Sequence, residues 1–346
     1  MKVDAPLVVA NLPEVPAVAT QVEADAFDGL YTFEGPHDPF LALLLAAEHT
    51  SRVELMTAVA IALARNPMTV AQLAWDLNTA SAGRAIIGLG SQIRPHIERR
   101  FSMPWSNPAA RMREFVGAMR AIFECWDHGT PLRFDGEYYR HTLMTPFFTP
   151  EPQPCEPPRI FLAGVGPALT RAAGDAADGF FAHPFSTPDY LRSRTLPALA
   201  EGERGTRSDF EIAWPVMIAT GNTDAEREAA EFATRGQIAF YASTPAYRPV
   251  LAHHDRGELQ PEFNRLSKLG DWEPMIALVD DELLDLIAVR GTPQECGTEL
   301  ARRTVGLVDR VAINAPYVAA PSVWTDVLKE FRRRAEDIEA TPLGDR

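Results

Sequence analysis

Short apolar runs alternate with longer amphipathic stretches along most of the chain. A short apolar run bounded by turn residues is typical of a buried strand, whereas apolar residues at helical spacing predict a helix. The runs predict eight strands, over residues 2–10, 27–33, 52–62, 84–90, 159–163, 179–182, 210–220 and 309–314. Helical patterns follow over residues 13–25, 38–50, 66–81, 108–128, 167–177, 188–201, 224–241 and 322–338. This alternation indicates a parallel sheet covered by its crossover helices.

Eight strand–helix units can close into an α/β barrel or form a doubly wound open sheet. An open dinucleotide-binding sheet would carry its glycine fingerprint after the first strand, and this sequence has no such fingerprint. A length of 346 residues also suits one barrel domain. We therefore predict a (β/α)8 TIM barrel, with residues 1–346 forming a single domain.

Two segments depart from the strand–helix repeat. Residues 129–158 contain Asp135-Gly136 between β-type residues, which predicts a hairpin, followed by the proline-rich EPQPCEPP, which predicts a stiff linker. Residues 243–286 show no clear repeat, and we interpret them as an irregular insertion with short helices around residues 262–269 and 273–279. Such an insertion could form a lid over the mouth of the barrel.

The amino-acid composition argues against several classes of binding partner. The net charge of -14 makes nucleic acid and membrane surfaces poor partners, because both are anionic. With no leader pattern at the start and no apolar run long enough to span a membrane, we expect a cytoplasmic protein. The three cysteines, Cys125, Cys155 and Cys296, lack metal-like spacing, so we expect free thiols and no metal site.

In a barrel, functional residues follow the carboxyl ends of the strands, and a glycine-rich turn lies at one such end. In FLAGVGPALT, a strand runs through Gly164, Val165 and Gly166 into a helix. Glycines let the backbone approach a ligand, and the first N–H groups of the helix point toward it, which suits a phosphate or carboxylate. The alternative is a tight turn with nothing bound.

A second strand end carries the dense basic segment IIGLGSQIRPHIERR. Ser91 and Gln92 follow the strand, and His96 lies among arginines in an otherwise acidic protein. One interpretation has His96 and an arginine binding an anionic cofactor or the substrate. The other is a solvated helix whose arginines pair with nearby acids.

Two further side chains follow predicted strands. Glu34 ends the second strand, where a carboxylate could act as acid or base, or could serve only in a helix cap or salt bridge. His183 follows the sixth strand with the same ambiguity. Asp38, in the loop after Glu34, is predicted to cap the helix that Pro39 begins.

These segments resemble the luciferase-like monooxygenases, over nearly the whole chain. FDGLYTFEGPHDPFLALLLAAEHTSRVELMTAVAIALARNPMTVAQLAWDLNTASAGRAIIGLG is similar to their N-terminal half, and FLAGVGPALTRAAGDAADGFFAH to their second-half phosphate segment. SQIRPHIERRFSMPW resembles a subgroup associated with the deazaflavin coenzyme F-420 in actinobacteria. The resemblance implies a barrel and a homodimer.

The resemblance also implies roles for cofactor-binding residues. Ala58 and Val59 match the place of a non-proline cis peptide behind the isoalloxazine-like ring, and the turn of residues 164–166 matches the phosphate-binding turn. Ser91 and Gln92 match positions near the ring or its side chain. Many relatives carry an acid–His pair where this chain has Glu34 and Gly35, so the histidine used there for proton transfer is absent.

That departure argues against sugar-phosphate oxidation and the luciferase reaction, and leaves Glu34 or His96 to transfer the proton. The leading hypothesis is an oxidoreductase that uses coenzyme F-420 for hydride transfer to or from a small organic substrate. One alternative is an FMN-dependent monooxygenase. Another is a non-catalytic protein that binds a flavin or deazaflavin.

Overall fold

The computed structural model describes residues 1–340. Within them are the strands β1 (Lys2–Pro6), β2 (Gly29–Thr32), β3 (Glu54–Ile61), β4 (Ala85–Gly90), β5 (Phe134–Asp135), β6 (Arg140–His141), β7 (Arg159–Ala163), β8 (Gly179–Phe181), β9 (Glu211–Thr220), β10 (Ala288–Gly291) and β11 (Arg310–Asn314). The α-helices are α1 (Val15–Ala24), α2 (Pro39–Glu48), α3 (Pro67–Ala80), α4 (Pro108–His128), α5 (Pro167–Ala176), α6 (Pro188–Tyr190), α7 (Leu196–Ala200), α8 (Asp224–Ala242), α9 (Arg248–His253), α10 (Gln260–Leu269), α11 (Trp272–Ala277), α12 (Asp281–Ile287), α13 (Pro293–Thr304) and α14 (Pro321–Ala340).

The main sheet is a closed ring. Its strands follow the order β10-β9-β11-β1-β2-β3-β4-β7-β8, and β9 pairs with β8 as well. That pairing closes eight strands into a (β/α)8 TIM barrel, as predicted, and excludes the open doubly wound sheet. The eight strands of the ring correspond to the eight predicted ones, whereas β10, which pairs in parallel with β9, was not predicted.

Several helices begin where the sequence predicted, because a polar side chain caps a proline-initiated first turn. Asp38 accepts a hydrogen bond from the backbone N–H of Phe40 at the start of α2. Asn66 does the same for Thr69 in α3. Proline needs no N–H donor in the first turn, so the combination begins a helix efficiently. The predicted capping role of Asp38 is confirmed.

The predicted hairpin is present, although its turn is longer than a two-residue Asp-Gly turn. Phe134 pairs with His141 and Asp135 with Arg140, which leaves residues 136–139 in the loop. The carboxylate of Glu114 accepts hydrogen bonds from three successive N–H groups of this loop, those of residues 137–139. The loop is therefore tied to α4.

Contacts group the described residues into two compact units. We call residues 4–181 with 198–211 the N-terminal unit, and residues 1–3, 182–197 and 212–340 the C-terminal unit. In the N-terminal unit, α4 buries the predicted apolar face, which includes Met112, Phe115 and Met119. The single-domain assignment made from the sequence stays a prediction.

The insertion of residues 243–286 is more helical than predicted, because it contains α9, α10, α11 and most of α12. Apolar side chains from these helices, such as Leu251, Phe263 and Met275, pack in the core of the C-terminal unit together with Phe185. The segment is thus a packed part of that unit, and its action as a lid stays a prediction. None of the helices within residues 1–340 is both long and apolar enough to cross a membrane.

Candidate functional site

A bulge with a cis peptide bond interrupts β3. Thr57 pairs with Ile87 and Ala60 with Leu89, so Ala58 and Val59 lie opposite one residue of β4. The peptide bond between Ala58 and Val59 is cis, as the resemblance implied. A Cβ atom on Gly90 would lie 2.6 Å from Cγ2 of Val59, so the glycine leaves room for the bulge. Contact of this bulge with a cofactor stays a prediction.

Glu34 links the loop after β2 to the bulge and to the residue of β3 that lies two positions beyond it. Its N–H donates to the carbonyl oxygen of Val59 (3.1 Å), and its carboxylate accepts from the N–H of Ile61 (2.7 Å). The same carboxylate, whose side chain is only 8% exposed, forms a salt bridge with Arg65. Arg65 also pairs with Asp38 (2.8 Å). The salt-bridge interpretation of Glu34 is therefore realised, and a role in proton transfer stays a prediction.

The residues after β4 adopt an unusual backbone conformation. Gln92 has a φ of 59°, in the left-handed region that a non-glycine residue seldom occupies. The side chains of Ser91 and Gln92 bond to adjacent backbone groups, the carbonyl oxygen of Gln92 and the N–H of Ile93. Unusual backbone conformations often occur at functional sites, which supports this strand end as part of a candidate site.

Both interpretations of the basic segment find some support. Arg94 pairs with Glu98 at 2.9 Å, and Arg100 donates to the carbonyl oxygen of Gly35, so these two arginines have local partners. His96 and Arg99 have exposed side chains, and His96 begins a π-helical turn. The segment therefore combines locally paired arginines with exposed basic groups.

The glycine turn after β7 leads directly into α5. Gly166 has φ 83° and ψ 159°, a conformation almost restricted to glycine, and caps the helix without a side chain. Because Pro167 has no N–H, the first available amides belong to Ala168 and Leu169. A Cβ atom on Gly166 would meet no atom within 4 Å, so the space above the turn is open. This geometry suits an anionic group.

The barrel topology brings these features to one edge of the N-terminal unit. The strands β2, β3, β4 and β7 are consecutive neighbours in the sheet and run parallel. Their carboxyl ends therefore lie at the same edge, where Glu34, the bulge, Ser91-Gln92 and the glycine turn follow in order. The sequence predicted each of these positions, whereas Arg65, which pairs with Glu34, was missed.

The C-terminal unit contains a second group of polar and aromatic side chains. His183 is hydrogen-bonded to the Tyr247 hydroxyl (2.9 Å) and accepts from the N–H of Phe185 (3.0 Å). Burial lowers the pKa of His183 to about 3. The sequence singled out His183, but Tyr247 lies in the insertion and no local pattern links the two. Across residues 1–340, no three His, Cys, Asp or Glu side chains are arranged to hold a metal ion.

The comparison with protein families decides the classification. The pattern of the luciferase-like monooxygenase family matches residues 2–310. The chain belongs to this family. The resemblance found in the sequence is therefore confirmed, and the closed barrel agrees with it.

Relatives of this luciferase-like protein include oxidoreductases. An uncharacterised protein of Mycobacterium bovis is 54% identical over 318 residues, which cover 91% of this chain and 93% of that protein. The 5,10-methylenetetrahydromethanopterin reductase of Archaeoglobus fulgidus is 25% identical over 305 residues, 85% and 87% of the two chains. The solved coenzyme F-420 dependent tetrahydromethanopterin reductase of Methanopyrus kandleri superposes with a TM-score of 0.77 at 18% identity, over 95% and 97% of the chains.

Proposed function

We propose that this luciferase-like protein is an oxidoreductase that uses the deazaflavin coenzyme F-420 for hydride transfer to or from a small organic substrate. The observation that carries the proposal is the shared edge of β3, β4 and β7, which brings the bulge of β3 and the open glycine turn to one end of the sheet. The dependence of the Methanopyrus kandleri relative on coenzyme F-420 supports the choice of coenzyme. When bound, the coenzyme supplies the hydride chemistry, while the protein supplies orientation and electrostatics.

The residues present fit such a coenzyme. The amides after Gly166, together with the open space above that turn, suit its phosphate. The bulge of Ala58 and Val59 would lie against one face of its ring, with Ser91 and Gln92 near the ring or its side chain. The exposed Arg99 offers positive charge for an anionic tail.

The contacts suggest different roles for the two candidates for proton transfer. Glu34 is committed to Arg65 and to the N–H of Ile61, which suits a residue that holds the bulge in place. His96 is exposed, so its imidazole can approach a bound molecule and exchange a proton with solvent. We assign the positioning role to Glu34 and the proton transfer to His96.

Coenzyme titration tests the proposal. We expect coenzyme F-420 to quench or shift fluorescence with a lower Kd than FMN when each is added separately to the purified protein. Replacing Gly166 by alanine should raise the Kd for coenzyme F-420 by about 5- to 150-fold, because alanine cannot hold this φ and ψ without strain of about 1–3 kcal/mol.

The matched control is Gly129→Ala. Gly129 also has a positive φ, 65°, but it ends α4 away from the strand ends, so this substitution should cost stability without changing the Kd. A lower Kd for FMN than for coenzyme F-420 would instead favour the alternative of an FMN-dependent monooxygenase. Binding of neither compound would show that the proposed function is wrong.

We also propose a homodimer, supported by an apolar surface on two helices that pack together. Leu41 and Leu44 on α2 are 52% and 41% exposed, and Leu73 on α3 is 36% exposed. Leu44→Glu should convert a dimer to a monomer in light scattering after size-exclusion chromatography, because it places a charge in the buried interface. Phe232→Glu, at a 62% exposed position of α8, should leave the dimer intact. A monomeric wild-type protein would refute the proposal.

A further inference from the structure

An aromatic cluster in the C-terminal unit encloses the imidazole of His183. The ring of Tyr247 stacks on it with centroids 4.3 Å apart and an interplanar angle of 27°. The ring of Tyr241 meets it edge-on at 4.7 Å. His183 comes two residues after the end of β8, and functional residues of barrel enzymes follow the carboxyl ends of their strands.

The hydrogen bonds fix which imidazole nitrogen carries the hydrogen. The backbone N–H of Phe185 can only donate, so Nδ1 of His183 must accept this bond with its lone pair. A neutral imidazole has one N–H group, which must then be on Nε2. Nε2 lies 2.9 Å from the Tyr247 hydroxyl oxygen and therefore donates to it. The imidazole is neutral because burial lowers the pKa of His183 to about 3.

The hydroxyl of Tyr247 consequently accepts from His183, and its own hydrogen remains for another acceptor. Among the described residues, His183 is the one hydrogen-bond partner of this hydroxyl. Tyr241 repeats the arrangement, since its hydroxyl accepts from Nε2 of Gln237 at 3.3 Å. The carbonyl oxygen of the Gln237 side chain is buried without a partner in residues 1–340. The cluster thus offers two phenol donors and one buried acceptor.

The charge of the cluster limits the ligand that it can take. His183, Tyr241 and Tyr247 are all uncharged near neutral pH, and burial raises the pKa of both tyrosines. The next cation along the chain, Arg248, is exposed and donates to the carbonyl oxygen of Gly257. None of these three side chains supplies a countercharge to replace the hydration that an anionic ligand would lose, whereas a neutral oxygen loses far less on binding. The cluster therefore favours a neutral ligand.

We propose that Tyr247 donates a hydrogen bond to the oxygen of a neutral carbonyl compound, or of the corresponding alcohol, and that His183 orients this hydroxyl. Tyr241 and Gln237 supply the second donor and an acceptor that an alcohol O–H can use. The inference rests on the proposed function, since it names the substrate class of the oxidoreductase. It makes Tyr247 a substrate-binding residue and His183 a positioning residue.

A pair of probes of matched shape tests the assignment on the full chain without added coenzyme. Cyclohexanone has a carbonyl oxygen where methylenecyclohexane has a CH2 group, and calorimetric competition gives their relative Kd values. We expect the wild-type protein to bind the ketone roughly three- to tenfold more tightly than the alkene, the usual worth of one hydrogen bond. Tyr247→Phe should abolish this preference while retaining the ring.

Tyr190→Phe is the matched control, because its ring packs against the same apolar core as those of Tyr241 and Tyr247 but pairs with the ring of His253. The preference for the ketone should persist in this variant. Equal binding of both probes by the wild-type protein, or an unchanged preference in Tyr247→Phe, would overturn the assignment. Neither probe requires the coenzyme, so this result is separate from that of the coenzyme titration.

A second measurement needs no variant. Two-bond nitrogen–proton NMR spectra of the wild-type protein distinguish the two neutral tautomers of a histidine, and we expect His183 to carry its hydrogen on Nε2. A hydrogen on Nδ1 would mean that Nε2 accepts from Tyr247. The tyrosine hydrogen would then be committed to His183, and the proposal would be wrong.

Discussion

Replacing Arg65 by methionine should lower the free energy of unfolding by about 3–5 kcal/mol, the usual cost of removing one partner from a buried ion pair. Glu34 is 8% exposed and Arg65 15%, so the carboxylate left behind would be buried without its cation. Asp38, more exposed at 38%, would lose the same partner at a smaller cost. Urea denaturation of the two proteins at pH 7 measures the difference.

Two further variants distinguish the loss of this buried ion pair from the effect of removing any arginine charge. Arg94→Met removes an arginine from a surface pair in which Arg94 is 66% exposed, and such a pair contributes only about 0.3–0.5 kcal/mol. Adding Glu34→Gln to Arg65→Met should recover part of the loss, because the buried carboxylate is no longer charged. If Arg65→Met cost less than about 1 kcal/mol, the carboxylate would have to reach water, and Glu34 would regain its place as a candidate acid.

The same substitution bears on function, because Glu34 is bonded to Val59 in the bulge and to Ile61 just beyond it. With Arg65 gone, the buried carboxylate keeps its bond from the N–H of Ile61 but loses the guanidinium that holds it in place, so we expect Glu34 to support the bulge of Ala58 and Val59 less firmly. Coenzyme affinity should then fall together with stability. A destabilised variant with unchanged coenzyme affinity would place the coenzyme elsewhere.

The barrel could be predicted because most of its strands and helices carry their own local signals. The helix of residues 108–128 has the predicted bounds, since Asn107 caps it and Gly129 ends it in a left-handed conformation. The strand β10 has no such signal. Its four residues follow directly on helix α12 and become a strand through pairing with residues 217–220 of β9, which is a tertiary interaction.

The candidate site likewise contains some features that the sequence reveals and others that it does not. The glycine turn of residues 164–166 is visible in the sequence, because few residues other than glycine permit its geometry. The partners of the polar side chains are not visible, since Glu34 and Arg65 are 31 residues apart and His183 and Tyr247 are 64 apart. No helical or strand periodicity relates positions so distant. Only the closed barrel and the packed insertion bring them together.

Between pH 6.5 and about 3, the wild-type protein should lose stability more steeply than its His183→Asn variant, by about 1.4 kcal/mol for each pH unit. In the folded protein, burial lowers the pKa of His183 from 6.5 to about 3, so the imidazole stays neutral over this range. In the unfolded chain it takes up a proton below pH 6.5. Acid therefore favours the unfolded state, and the contribution of His183 is complete only above pH 6.5.

Urea denaturation of both proteins at several pH values between 4 and 7 tests this. Asparagine can still accept from the N–H of Phe185, so the variant keeps one of the two hydrogen bonds. Other groups lose stability in acid too, such as Glu23, where burial raises the pKa but hydrogen bonds from the backbone of Val53 and Arg52 outweigh it and lower the value to about 2. These groups are also present in the variant, so their effects cancel when the unfolding free energies of the two proteins are subtracted.

If the difference in unfolding free energy did not change with pH, His183 would be protonated in the folded protein as readily as in the unfolded chain. The bond from Phe185 to Nδ1 would then be lost, because a protonated imidazole has no lone pair to accept it.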